Sequence, residues 1–183
     1  VTNLSNMIGH NFRLGEIECA IGVEQLKKLS GIIEYRQELA KTLTDGLSGL
    51  KGLNPPILRQ GNTHCYYMYA MTVDPDLGVH RDKIFEALTA EGVMISNSYQ
   101  LLHLLPMYQK KIAYGSNGFP WTSDICKRDI NYAKGICPTA ERLIDHSYLA
   151  IELCTFDYDQ DDMKQIVTAF DKVWKNLELL SDC

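Results

Sequence analysis

Asn11 is the residue whose type and position best suit chemistry in this chain of 183 residues. It stands where a short polar and aromatic turn, Gly9-His10-Asn11-Phe12, runs directly into a helix-forming stretch. The first N–H groups of a helix lack partners within it, and the helix dipole is positive there. An amide donor beside them suits a phosphate or a carboxylate. An asparagine that only caps the helix has the same pattern, and the residues alone leave both readings open. No self-contained catalytic motif accompanies it: neither G-x-x-x-x-G-K-[ST], nor G-x-G-x-x-G, nor G-x-S-x-G occurs. The cysteines at 19, 65, 126, 137, 154 and 183 form no C-x-x-C pair, and the histidines at 10, 64, 80, 103 and 146 share no i, i+4 spacing. Reduced, structural cysteine is therefore expected, and a metal site is not.

Composition narrows the function classes further. A hydrophobic content of 45% is ample for the core of one ordinary domain, or of one lobe with an extended element. Net charge is only -5, and Lys27-Lys28 and Lys110-Lys111 are isolated pairs, so nucleic-acid binding has no compositional support. No apolar run approaches the roughly 20 residues of a membrane span, and the first residues lack a charged and then apolar leader. On sequence the chain reads as a soluble, cytoplasmic piece with no membrane partner.

Several elements must position these residues. From Asn11 onward, Leu26, Leu29, Ile33, Ala40, Leu43, Leu47 and Leu50 recur at threes and fours, predicting a helical face buried over a long distance. Gly31 leaves one helix or two, over 12–29 and 30–48, equally open, and Gly15 and Gly22 read as points of close packing. Glycines and a Pro-Pro pair between Gly46 and Pro56 end the helical period. His64 to Asp74, Cys65 included, predicts a strand, His80 to Glu91 a helix with Ile84, Phe85 and Leu88 inward, and Val93 to Ser96 a short strand. Lys110 to Lys134 predicts an irregular loop. Pro138 opens a helix to about Glu152. Asp157 to Leu180 predicts a final helix with Met163, Ile166, Phe170, Val173, Trp174 and Leu177 on one stripe.

The run Gly9 to Leu26 resembles the G-[YH]-N-[FY]-R-x-x-E-[IL]-x-A-A-I-G-x-x-Q-L segment of the DegT/DnrJ/EryC1/StrS family of pyridoxal-phosphate-dependent sugar aminotransferases. The resemblance implies that Asn11 reaches across a dimer interface to the phosphate of a cofactor bound mainly by the partner subunit, with His10 as its hydrogen-bonding neighbour. Arg13 and Glu16 match as well. Tyr66 to Val73, Gly78-Val79, Arg81-Asp82 and Glu91-Gly92-Val93 are similar to the strand, helix and strand of the family's smaller C-terminal domain. A substrate-side pattern, Y-x-P-L-H-x-Q-P-x-Y, is similar to Tyr99 through Tyr108, with Leu101 and Leu105 in place of proline and glutamine. That similarity implies substrate contacts from Tyr99 and His103. Apart from it, a histidine among leucines reads as a partly buried side chain bonded to a backbone carbonyl. Cys137 to Arg142 resembles the family's C-P-x-A-E-x segment, which is expected to order the last two helices.

The fold class implied is α+β: the small C-terminal domain of a fold-type I aminotransferase, with helices packed on a small sheet and long helices before it. Residues 1–50 then form an interdomain and dimer-interface segment, and 51–183 the small domain. The family's cofactor lysine lies in an S-x-x-K-type context upstream of the segment that Gly9 to Leu26 resembles; the S-x-x-K spacing found here, Ser48 to Lys51, follows that segment instead. The resemblance thus implies the C-terminal part of an enzyme that aminates a keto-sugar nucleotide from glutamate. Pyridoxal phosphate would be bound in the complete enzyme and not firmly by this chain alone, and the partners would be a second copy and an N-terminal cofactor domain. A free-standing dimerisation module derived from the family is the alternative.

Overall fold

The computed structural model describes residues 13–115 and 117–181, so His10 and Asn11 lie outside the described residues. The backbone divides into two units, one of residues 15–98 with 145–181 and one built on residues 99–144.

The larger unit begins with α1, Glu16–Leu47, a single helix that runs through Gly31 without a break. Its acidic first turn, Glu16 and Glu18, complements the helix dipole. Only its last third is buried, through Leu39, Ala40, Leu43 and Leu47. A four-stranded sheet follows from β1 (Leu53–Asn54), β2 (Tyr69–Val73), β3 (Ile95–Ser96) and β4 (Tyr148–Ile151), in the order β1-β2-β4-β3. Every pairing is antiparallel, with Met71 opposite Leu149 and Ile95 opposite Ile151. In β2 the alternate residues Tyr69, Met71 and Val73 are buried, as period-two geometry requires. Between β2 and β3 lies α2, Arg81–Ala90, capped by His80, whose Nδ1 accepts the Asp82 N–H. Ile84 and Leu88 are its buried residues, and Phe85 is half-buried.

The last long helix is α5, Gln160–Lys175, opened by a capping box in which Asp159 accepts from the Asp162 N–H and Asp162 accepts from the Asp159 N–H. Met163, Ile166, Phe170 and Val173 form its buried stripe, against which the last third of α1 packs. Gly46 permits that approach: a Cβ there would lie 2.6 Å from Cγ2 of Val167. Thr44 on α1 also meets the buried Tyr69 hydroxyl at 2.8 Å, and burial pushes that hydroxyl up to about 12.

Several expectations are corrected. The apolar face of α1 is not buried over its length: Leu26 and Leu29 are 68% and 45% exposed. Gly22 has no atom within 4 Å of where a Cβ would stand, and Gly15 meets only Glu18 of its own helix, so neither is a packing contact among the described residues. The strand expected over 64–74 is only Tyr69–Val73, because Tyr66 at φ 48° turns the chain out of extended geometry; Cys65 is exposed and precedes the strand. The helix expected over 138–152 ends at Arg142, continues as a π-type turn over Leu143–Ser147, and gives way to β4. Tyr148–Ile151 of the expected helix thus form the strand between β2 and β3. The expected last helix is interrupted after Lys175, and a short α6, Glu178–Ser181, follows.

Two glycine substitutions separate packing from helix propensity. Gly46→Ala is expected to destabilise the chain by about 1–3 kcal/mol through overpacking on Val167. Gly22→Ala is expected to stabilise it by about 1 kcal/mol. Urea unfolding midpoints at unchanged slope measure both.

Candidate functional site

Residues 99–144 carry a short 3-10 turn, Leu102–Leu104, then α3 (Pro106–Gln109), a long loop, and α4 (Pro138–Arg142). Pro106 and Pro138 each open a short helix, where proline's missing N–H costs nothing. The unit has little apolar core, and a polar hub does the joining. Glu141 Oε1 stands 2.8 Å from Nε2 of His103, and both residues are buried. The same carboxylate accepts the Gly135 N–H at 2.8 and 2.7 Å and the Cys137 N–H at 3.1 Å. Gly135, at φ 107°, supplies a backbone turn that a side chain would resist. Burial by itself would raise the Glu141 pKa, but the N–H groups of Cys137 and Gly135, together with His103, outweigh it and hold the carboxyl below its ordinary value.

A second layer fixes the backbone of His103. Gln109 Nε2 donates to the carbonyls of His103 and Tyr132, each at 2.6 Å. Tyr132 in turn meets Tyr108 with ring centroids 5.2 Å apart and Trp121 at 6.3 Å, and its hydroxyl accepts the Trp121 indole N–H at 3.0 Å. Lys111 reaches Asp129 at 2.8 Å. Among its described residues the loop between α3 and α4 has no long helix or strand, as expected, yet these contacts close it on itself.

Of the four residues singled out in sequence, the described residues include two. His103 is a held side chain whose partner is a carboxylate rather than the backbone carbonyl that its leucine surroundings suggested. Tyr99, four residues earlier, is 53% exposed and makes no hydrogen bond among the described residues. A buried imidazole fixed by one carboxylate can present its remaining edge in a set orientation and carry a proton there. Sequence reasoning found Glu141 only as a letter in C-P-x-A-E-x. Its partner is 38 positions away, and no local period links the two.

The covalent anchor implied by the resemblance is a lysine amine, which must be uncharged to attack an aldehyde. Among the described residues, Lys27, Lys41, Lys164 and Lys172 are exposed and paired with Glu24, Asp45, Asp161 and Glu91. The half-buried Lys83 and Lys111 face Glu86 and Asp129. A carboxylate partner favours the ammonium form, and Asp161 raises Lys164 in this way. These lysines do not fit a Schiff-base role. No cluster of three or more metal-ligating side chains occurs among the described residues.

Because the Glu141 carboxyl is depressed, its stabilising contribution is complete above the ordinary carboxylate range and is lost as pH falls through the depressed value. In a Trp174→Phe background, Trp121 fluorescence is expected to shift on acidification through that range. Glu141→Gln is expected to shift the emission already at neutral pH and to remove the acid step.

A sequence model of the DegT/DnrJ/EryC1/StrS aminotransferase family matches residues 2–136. The GDP-perosamine synthase of Vibrio cholerae is 26% identical over 134 residues, covering 72% of this chain and 36% of that protein. The L-glutamine:2-deoxy-scyllo-inosose aminotransferase of Streptoalloteichus tenebrarius is 31% identical, covering 93% of this chain and 40% of that protein. The crystal structure of S. venezuelae DesV in complex with a ketimine intermediate shares the fold at a TM-score of 0.67 and 19% identity, over 91% of this chain and 38% of that one. The chain thus spans 36% and 40% of the length of these two curated relatives. With most of its length matched, the chain belongs to the DegT/DnrJ/EryC1/StrS aminotransferase family, whose members depend on pyridoxal phosphate.

Proposed function

We propose that this chain is the C-terminal part of an aminotransferase that moves an amino group from glutamate to a keto-sugar nucleotide in the biosynthesis of surface polysaccharides or deoxyamino sugars. The likeness to a GDP-perosamine synthase supports a nucleotide-linked sugar as acceptor. In this reading residues 51–183 are the small domain, and residues 1–50 are the interdomain and dimer-interface segment. Asn11 and His10 contribute to a cofactor site that the partner subunit mostly builds. Tyr99 and His103 form part of the substrate wall, with His103 oriented by Glu141. The chain alone is inactive and cytoplasmic.

The observation that carries this reading is the uncovered face of α1. Ile17 and Ile21 are 76% and 57% exposed, in the segment that carries the family motif. Leu26, Leu29 and Ile32 continue the apolar surface toward Leu39, where burial begins. An apolar helix face of that length, in a family of larger proteins, fits a surface made to be covered. The same face would serve the alternative, a free-standing dimerisation module, which needs no cofactor at all.

Pyridoxal phosphate mixed with the 183-residue chain and reduced with borohydride is expected to give no stoichiometric adduct at a single lysine; such an adduct would overturn the assignment of the anchor to another part of the enzyme. Light scattering on the same sample is expected to show self-association that Ile21→Glu abolishes. A wild-type monomer at all concentrations would remove both the interface reading and the module.

A further inference from the structure

Arg81, the first residue of α2, is 4% exposed, and its guanidinium is surrounded by main-chain oxygens. Nη1 donates to the Tyr148 carbonyl at 2.7 Å and to the Asn97 carbonyl. Nη2 donates to the Asp145 carbonyl at 3.1 Å. Nε lies 2.9 Å from Asp82 Oδ1, and that carboxylate also accepts from Nδ2 of Asn97 at 2.9 Å. The charge is thereby paired with Asp82 and both Nη atoms are hydrogen-bonded, the condition under which a buried cation is tolerated.

These acceptors share a topological property. The chain leaves the larger unit after Ser98 and returns to it at Asp145. Asn97 is therefore the penultimate residue on the way out, Asp145 the first on the way back, and Tyr148 the first residue of β4. One side chain bonds both necks of the 99–144 unit, and only a planar fork with donors in fixed directions can do so. The returning neck is also where the π-type turn over Leu143–Ser147 sits, a loosened helical geometry that often marks functional positions.

We propose that Arg81 is a clamp within the larger unit: its guanidinium locks the stretch at Asn97, where the chain leaves that unit, to the stretch at Asp145 and Tyr148, where it returns. A residue that merely filled the core would, when replaced, loosen β2 and α5 as much as the necks. A clamp would release the necks first.

Hydrogen exchange of the full 183-residue chain, followed by mass spectrometry, distinguishes the two. In Arg81→Met, amides in 97–103 and 141–147 are expected to exchange about tenfold faster, with β2 and α5 within about twofold of wild type. Arg81→Lys keeps the charge but not the fork and is expected to fall between. Should Arg81→Met not fold, Asn97→Ala cuts only the outgoing link through Asp82, and its acceleration is expected to be confined to 97–103. Equal acceleration in β2 and α5, or unchanged exchange at both necks, would overturn the proposal. Neither result depends on activity, so the proposal can fail while the aminotransferase reading stands on its own adduct and sizing measurements, and the reverse.

Discussion

Unpaired charge cannot stay inside a fold this small, and that constraint organises both units. A buried ion loses several kcal/mol of hydration unless its partners are complete. Arg81 finds carbonyls in the larger unit, and Glu141 finds N–H groups and an imidazole in the other. The two hubs are complementary in chemistry: a cation collects main-chain acceptors, an anion collects main-chain donors. Each binds segments distant in sequence, and each stands where the apolar core is thin or a turn leaves backbone groups without a partner.

Hydrophobic burial builds what the hubs do not. The sheet, the last third of α1, α2 and α5 share one cluster of leucines, isoleucines, valines, Tyr69, Met71, Met163 and Phe170. That cluster holds the larger unit without help from 99–144, whose aromatic triad of Tyr108, Trp121 and Tyr132 closes a separate and much smaller core.

How much of this could be read in the sequence depended on how local the cause was. α5 announced itself through acidic residues at its start and a clean apolar stripe, and α2 through its spacing of Ile84 and Leu88. The central strand β4 was hidden because Tyr148 to Ile151 is a short apolar run that periodicity cannot distinguish from a helix. The apolar period of α1 was legible, but a period reports that a face is apolar and not whether anything covers it. Gly46, and not the motif glycines 15 and 22, turned out to mark close packing, since its partner Val167 is far along the chain. His103 was legible through a family pattern, whereas Glu141 became its partner only through folding, as did Arg81 with its three carbonyls.

The 32-residue α1 has one further consequence. Helix nucleation is the costly event and propagation nearly neutral per residue, so the turns anchored from Leu39 to Leu47 serve as the seed from which the rest extends. Toward Glu16 that extension has no tertiary contact among the described residues to reward it. Whatever surface comes to lie against Ile17, Ile21 and Ile32 therefore binds a helix that it also helps to complete, and its affinity includes the free energy of winding the segment. Association and secondary structure in this stretch are one equilibrium, and residues that raise helix propensity there would tighten an interface they never touch.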